Sequence, residues 1–392
     1  MKTVDFSNRK HRWTLALFLY AGMGAMVFQM RGALLVDIKE TFSVSESVLG
    51  LVTPAGTVGF TIAALTTGMI AGKIPLKKAM LIGVGLTALS TMLIGFSPFY
   101  LLFLGTMALR GITAGIPGGI ARPLLGHLHP EQRGRIFNID TAIWAGGAAL
   151  GPLFATLVVS FTDWRNAYLI MGFLFIPALL LMIKTDLPLD KMQEESLSFA
   201  KLRRIIKDPR IIVMAAGMFL SVGVEGGFFT WLPYYLTEAS FSKNAANLTF
   251  SGYLAAYIPG RLFNGWLVEK FTYTTLIMVN SICVILCLVV AFVLSSGYLT
   301  ILAVVATGFF LSTIWPNLFA LGIHSFPQHS GPVNGIVMTF DPLGISVFPA
   351  LIGIIADKYT IGLGMQTLVL LMAALLIMVF LLRKATANAR HV

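Results

Sequence analysis

Residues 13–37 read WTLALFLYAGMGAMVFQMRGALLVD, an apolar run in which only Arg31 and Asp37 are charged. A transmembrane helix needs ~20 predominantly apolar residues, so this run is long enough to cross a bilayer. It is also too long for the apolar core of a cleaved signal peptide, so we expect the polar, basic residues before it to remain on the chain. The run therefore predicts a first membrane span.

Runs of the same kind recur along the whole chain. Hydrophobic residues make up 57% of the 392 residues and the mean hydropathy is +0.83, whereas only 11% are charged, against roughly 25% in ordinary soluble domains. The predicted spans are 13–37, 46–71, 77–96, 99–121, 135–160, 166–184, 211–236, 246–268, 272–294, 298–323, 332–356 and 361–382. The sequence therefore predicts an all-α integral membrane protein with twelve transmembrane helices. This composition excludes a soluble enzyme, a nucleic-acid binder and a disordered scaffold.

A polar, charged stretch separates the sixth run from the seventh. We therefore expect a six-helix bundle at 1–184, a cytoplasmic linker at 185–210 and a second six-helix bundle at 211–392. The net charge of +11 comes mostly from Lys and Arg in alternate connecting segments, as the positive-inside rule requires of a cytoplasmic side. The rule predicts that both termini and the linker are cytoplasmic, in a multi-pass protein of the plasma (inner) membrane.

The two halves repeat. A shift of 197 residues pairs Gly68 with Gly265, Gly111 with Gly308, Gly147 with Gly344 and Pro152 with Pro349. An internal repeat of two helical halves, with a binding site near the midplane between them, is typical of alternating-access transporters.

Short motifs follow one another in a fixed order through the first half. They are the loop Gly68–Lys78, the element Arg110–Gly115, the element Gly147–Pro152 and the pair Trp164-Arg165. On these motifs the chain resembles the major facilitator superfamily over essentially its whole length. The resemblance implies two pseudo-symmetric six-helix bundles, with the first, fourth, seventh and tenth helices lining a central cavity.

The loop motif departs from the superfamily pattern at one position, because Gly72 stands where the family has Asp. The counterpart loop of the second half, Gly265–Lys270, keeps an acid followed by a base. The resemblance therefore implies that conformational change involves both loops and the glycine–proline element of the fifth helix. The expected gating residues are Gly68, Lys73, Gly265, Glu269, Gly147, Gly151 and Pro152.

Two finer resemblances point to different solutes. Asn138, the Gly147–Pro152 element and the stretch Val222–Leu236 resemble the fucose/glucose branch of proton-linked sugar transporters. Arg31 in the first helix departs from that branch and makes the chain resemble carriers of organic anions, cyanate-type anions or sugar phosphates. Both alternatives remain open at this point.

Ionisable residues inside the predicted spans carry most of the functional information, since a charge in the bilayer costs at least ~2.5–3.5 kcal/mol. They fall on the cavity-lining helices and the helices flanking these, and the predicted third, sixth, ninth and twelfth helices have none of them. Three arginines could hold a carboxylate or phosphate in bidentate fashion, and buried carboxyl groups could carry a coupling proton. The expected proton-coupling residues are Glu225, Asp341 and Asp140. Arg110 and Asp140 could equally form a structural ion pair, and Arg261 could equally latch two helix ends.

Polar and aromatic side chains on the same helices complete the expected site. The predicted substrate-binding residues are Arg31, Gln29, Arg110, Asn138, Trp144, Arg261, Tyr257, Trp315 and Asn317. The sequence lacks a P-loop, zinc-ligand spacing and a nucleophile elbow, so we expect neither an enzyme nor a cofactor.

The sequence therefore predicts a secondary active transporter of a small polar or anionic solute, coupled to protons or to sodium. We expect it to act as a monomer in contact with membrane lipid and without nucleic acid. A multidrug or solute efflux antiporter of the same fold is the first alternative. A non-transporting receptor on a transporter scaffold is the second.

Overall fold

The computed structural model of the protein describes residues 2–188, 208–294, 297–325 and 336–388. Most of the predicted linker 185–210 lies outside these residues. Within the described residues the regular secondary structure is helical, and eleven helices are long and apolar enough to cross a membrane. The remaining predicted span, 246–268, is formed by two consecutive helices that meet at Ala256. The predicted all-α fold with twelve spans is confirmed.

We number the spans α1–α12 in chain order. The first six are α1 (Lys2–Ala33), α2 (Glu46–Leu49 and Val52–Ile70), α3 (Leu76–Gly95), α4 (Tyr100–Leu128), α5 (Arg133–Val159) and α6 (Trp164–Leu174 and Ile176–Lys184). A short helix, Leu35–Phe42, follows α1, and a 3₁₀ turn, Pro130–Gln132, precedes α5.

The second half has the same number of spans. They are α7 (Pro209–Glu238), α8 (Lys243–Ala255 and Tyr257–Leu267), α9 (Tyr273–Val289, continued by the π-helical turn Val290–Leu294), α10 (Tyr298–Leu311 and Ile314–Ser325), α11 (Phe340–Lys358) and α12 (Ile361–Asn388).

The fourth span is longer than its apolar run. The run 99–121 ends before Arg122, but α4 continues to Leu128 with Pro117 and Pro123 inside it. Arg122 is therefore a helical residue rather than a loop residue. A single charge ends an apolar run without ending the helix that carries it.

The chain divides into two compact units. The first unit contains Met1–Val44 and Pro54–Glu195, and the second contains Ser45–Thr53 and Ser196–Val392. The short segment Ser45–Thr53 packs with the second unit although it belongs to the first half of the sequence. Its side chains explain this assignment, because Tyr234 donates a hydrogen bond to Glu46 (2.7 Å) and Thr53 shares one with Thr230 (2.7 Å).

Glycines bring corresponding helices into close contact inside each unit. In the first unit, Gly147 of α5 lies directly against the carbonyl oxygen of Gly22 of α1, with no room for a Cβ atom. In the second unit, Gly344 of α11 lies in the same way against the carbonyl oxygen of Phe219 of α7. Both members of the second pair follow those of the first by 197 residues, so the offset found in the sequence also relates the helix crossings.

The same rule holds at a second crossing. Gly111 of α4 lies against the carbonyl oxygen of Gly56 of α2, and Gly308 of α10 lies against that of Tyr253 of α8. These pairs are again 197 residues apart. Small residues thus fix the backbone of each unit and determine where the buried polar side chains of α1, α4, α7 and α8 must lie.

Candidate functional site

Two arginines lie together in the first unit, and Arg31 is buried whereas Arg110 is half-buried. Arg31 of α1 is 5% exposed, and Arg110 of α4 is close enough to interact with it electrostatically. The guanidinium carbon of Arg31 lies 3.9 Å from the ring centroid of Phe28, one helical turn away, in a cation–π contact. The hydroxyl-bearing rings of Tyr20 and Tyr168 also lie within electrostatic range of Arg110. The structure therefore brings the first two predicted cationic residues into one cluster.

The hydrogen-bond donors of this cluster are largely unused. Among the described residues, Nε and Nη2 of Arg31, Nε of Arg110 and the hydroxyl of Tyr168 are buried and have no hydrogen-bond partner. Nη2 of Arg110 reaches only the carbonyl oxygen of Gly24, at 3.5 Å. Buried donors are normally satisfied, so this group of unpaired donors is unusual.

The other predicted polar residues of the first unit lie in different surroundings. Gln29 is fully buried, its amide atoms have no partner in the described part of the chain, and its Cβ lies near Gly151 of α5. On α5 the side chain of Asn138 is exposed and that of Trp144 is half-buried. Of these three, Gln29 is the one with buried, unsatisfied hydrogen-bonding atoms.

The buried carboxylate of the first unit is already paired. Asp140 of α5 is 4% exposed and accepts a hydrogen bond of 3.1 Å from Nε of Arg122 on α4. A structural ion pair between Arg110 and Asp140 was one of two alternatives, and the structure pairs Asp140 with Arg122 instead, because α4 extends past its apolar run. Because Asp140 is paired with Arg122, no carboxylate of the described residues forms an ion pair with Arg31 or Arg110.

The predicted carboxylates of the second unit do lie together. Glu225 of α7 interacts electrostatically with Arg261 of α8 and with Asp341 of α11, and the hydroxyl of Tyr257 of α8 lies beside it. Nε of Arg261 donates to the carbonyl oxygen of Ser312 at 3.4 Å. Three helices thus contribute two acids, one base and one hydroxyl to a single cluster.

Aromatic side chains extend this second cluster on both sides. The indole nitrogen of Trp315 on α10 donates a hydrogen bond of 3.0 Å to Oδ2 of Asp341. The hydroxyls of Tyr253 and Tyr257 lie 2.8 Å apart, and the ring of Tyr253 stacks on Phe228 with centroids 4.6 Å apart. A continuous set of hydrogen-bonding groups therefore runs from Tyr253 through Tyr257 to Glu225.

Asn317, predicted to bind substrate, has a partner within the unit. Its side-chain amide and that of Asn264 exchange two hydrogen bonds, of 2.9 and 3.0 Å, between α10 and α8. Both residues are buried. This reciprocal pair uses one donor and one acceptor of each amide to join the helices.

The predicted gating residues fall into two groups. Gly147 and Gly151 pack against the backbone of α1 at Gly22 and Met26, and Pro152 is buried beside them. The loop residues are more open: Lys73 and Glu269 are exposed, Gly265 has no neighbour within 4 Å of a Cβ position, and a Cβ on Gly68 would lie 3.6 Å from the carbonyl oxygen of Gly119.

Several residues of the two clusters were not anticipated from the sequence. Tyr253 lies four residues before Tyr257, so their shared helix face was a usable signal. In the sequence, Tyr20 and Tyr168 look like aromatic residues of the membrane interface. Asn264 directly precedes the loop motif Gly265–Lys270. No sequence signal identified these three.

Known proteins resemble this chain along its whole length. The family model for the Major Facilitator Superfamily matches residues 14–246 and 216–391. Protein TsgA of Shigella flexneri is 22% identical, covering 98% of both chains. A TsgA homologue of Buchnera aphidicola subsp. Baizongia pistaciae is also 22% identical, covering 91% of this chain and 92% of its own.

Two solved structures have the same fold. A bacterial homologue of the human lysosomal transporter Spinster, in an inward-facing, unoccupied conformation, has a TM-score of 0.80 at 16% identity, with 95% of this chain and 96% of that chain covered. A variant of the fucose:proton symporter FucP of E. coli has a TM-score of 0.66 at 19% identity, with 96% of this chain and 99% of that chain covered. Likeness at these identities concerns the fold alone.

Proposed function

The chain belongs to the major facilitator superfamily of multi-pass transporters, and on this premise we propose that it carries a small anionic solute by proton-driven alternating access. The proposed location is a plasma membrane, with both termini on the cytoplasmic side where the basic connecting segments concentrate. The solute binds through arginines, and the proton through carboxylates.

One observation carries this proposal: each unit gathers charged side chains of its membrane spans into a cluster of its own. The first unit clusters Arg31 with Arg110, and the second clusters Glu225 with Asp341 around Arg261. Ionisable groups inside a membrane protein are costly to bury and usually mark the pathway of a substrate or ion. We therefore assign each cluster a role in transport.

The second cluster suits proton transfer. Glu225 faces a cation, a second carboxylate and a hydroxyl, so gaining or losing one proton changes its interaction with all three. Asp341 also accepts a hydrogen bond from Trp315 on α10. A change of charge at Glu225 therefore alters electrostatic interactions that involve α7, α8, α10 and α11. Such a change is the kind of local electrostatic event that biases a two-state transporter.

The test is transport in proteoliposomes with an imposed pH gradient, using labelled sugars, sugar phosphates and carboxylates as solutes. We expect an inward proton gradient to drive accumulation of an anionic solute. Glu225→Gln should abolish this accumulation while solute exchange between equal pH values continues. Glu238→Gln is the matched control, because Glu238 is exposed at the far end of the same helix.

Concentrative uptake that survives in both Glu225→Gln and Asp341→Asn would contradict proton coupling at this cluster. Accumulation of cationic dyes in place of anions would favour the efflux alternative. Exchange without any response to the pH gradient would leave a uniporter.

A further inference from the structure

We propose, building on the transport function above, that the first unit contains a binding site for a doubly charged oxyanion formed by Arg31, Arg110 and Tyr168. The ligand chemistry is a phosphate or phosphonate group that carries two negative charges, or the free sulfate ion. In this assignment the anionic group of the solute is held by the first unit alone.

The geometry of Arg31 is the first support. Nε and Nη2 form one edge of the guanidinium, and both are buried and unpaired among the described residues. This edge is the fork that binds two oxygens of a carboxylate, phosphate or sulfate in parallel. A side chain retained only for its contact with Phe28 would not need a free fork, since the cation–π contact uses the guanidinium face.

Arg110 presents a second set of donors to the same cluster. Its Nε is unpaired within the described part of the chain, and the long contact of 3.5 Å from Nη2 to the Gly24 carbonyl oxygen is at the limit of a hydrogen bond. The hydroxyl of Tyr168 interacts electrostatically with both arginines and is itself unpaired there. Four unpaired donor atoms on three helices therefore lie in one region.

The charge of the cluster selects the ligand. Arg31 and Arg110 interact as like charges, and neither forms an ion pair with a described carboxylate. Asp140 is unavailable because it pairs with Arg122. A buried charge without a partner is strongly unfavourable, and a monoanion would leave one of the two cations uncompensated. An oxyanion with two charges neutralises both.

The experiment is a thermal-shift titration of the purified full-length protein with sodium sulfate and sodium nitrate at equal ionic strength. Sulfate carries two charges and nitrate one, and both are oxyanions at any pH used. We expect sulfate to raise Tm in a saturable manner, as a ligand bound only by the folded state must. Nitrate should bind at least tenfold more weakly.

Arginine variants locate the site. Arg31→Lys keeps the charge but loses the fork, so its Kd for sulfate should rise at least tenfold. Arg31→Gln and Arg110→Gln should each abolish the shift. Arg210→Gln is the control for loss of one arginine, because Arg210 lies at the start of α7 and pairs with Asp208. Because Arg31→Lys preserves the buried charge, it keeps the test decisive if a neutral variant fails to fold.

The outcomes separate this site from the transport function. Equal shifts with nitrate and sulfate would overturn the doubly charged ligand. Absence of any anion-dependent shift in a protein that still shows Glu225-dependent proton flux would overturn the site and leave transport intact. A sulfate shift that requires both arginines, in a protein without proton-linked flux, would support the site and contradict the transport proposal.

Discussion

In the first unit, position 28 of α1 is Phe and position 144 of α5 is Trp, whereas the positions 197 residues later, Glu225 of α7 and Asp341 of α11, are acids. The helices that carry these residues cross at equivalent glycines, Gly147 in one unit and Gly344 in the other. The backbone arrangement is therefore shared, and the charge placed on it is not. The two copies of a duplicated helical scaffold can keep the same helix crossings and still carry different charged residues.

The shared crossing gives the largest expected effect. Gly147→Ala and Gly344→Ala each add a Cβ that would overlap a backbone carbonyl, at Gly22 and at Phe219, so the helices must separate. Overpacking of this kind costs about 3 kcal/mol of the free energy of unfolding. We expect both variants to lower Tm and the folded fraction in size-exclusion chromatography by similar amounts.

Gly146→Ala is the matched control for the crossing, since nothing lies within 4 Å of a Cβ at Gly146. It should behave as the unmodified chain does. A Gly147→Ala protein as stable as Gly146→Ala would contradict the close approach of α1 and α5. A large effect in only one unit would show that the two crossings are not equivalent.

The difference between the units gives the next effect. Tyr257→Phe removes the hydroxyl that interacts with Glu225, and Tyr168→Phe removes the hydroxyl beside the two arginines. A hydrogen bond to a charged group is worth about 1.5–3 kcal/mol, so we expect Tyr257→Phe to reduce the turnover of proton-driven uptake at least tenfold. Tyr168→Phe should instead raise KM for the solute and leave turnover unchanged.

Steady-state uptake with and without a pH gradient measures both quantities. Identical changes in KM and turnover for the two variants would contradict the division of tasks between the units. Tyr253→Phe adds a graded test. The hydroxyl of Tyr253 bonds that of Tyr257, which interacts with Glu225, so we expect Tyr253→Phe to have a smaller effect than Tyr257→Phe.

Much of this fold could be predicted because membrane spans are governed by local rules. A run of apolar residues predicts a helix regardless of its neighbours, since the bilayer requires every backbone group to be paired internally. The exceptions have local causes. Arg122 ended an apolar run without ending α4, and Ser45–Thr53 packs with the second unit through contacts such as that of Glu46 with Tyr234.

The charged clusters could be predicted only in part. The cost of burying charge drew attention to Glu225, Asp341 and Arg261 one by one, but the sequence did not predict that Arg261 lies beside the two acids. The pairing within each cluster depends on helix rotation and on residues far apart in sequence, as with Trp315 and Asp341. Asn317 was predicted to bind substrate, whereas in the structure its amide bonds that of Asn264, 53 residues away. Sequence spacing alone cannot identify such a partner.

The smallest expected effect concerns two ion pairs at the ends of membrane spans, Asp208–Arg210 and Asp186–Lys77. Asp208 caps the start of α7 by accepting from the backbone N–H of Arg210, and the Arg210 side chain also donates to it. This side-chain hydrogen bond is the main cause that lowers the pKa of Asp208 from its usual value of 3.8. A lowered pKa in the folded state stabilises the protein at pH values above 3.8, and this contribution is lost as the pH falls below that value.

Asp208→Asn keeps the capping oxygen and removes the charge, so we expect it to lower stability by less than ~1 kcal/mol at pH 7. The difference in Tm between Asp208→Asn and the unmodified chain should shrink as the pH is lowered from about 5 to about 3, and also with added salt. Asp186→Asn is the counterpart in the first unit, where Asp186 pairs with Lys77 at 2.8 Å but is 73% exposed. Because solvent screens that pair, its variant should change Tm less than Asp208→Asn does, and a larger change would show that the exposed pair holds the end of α6 in position.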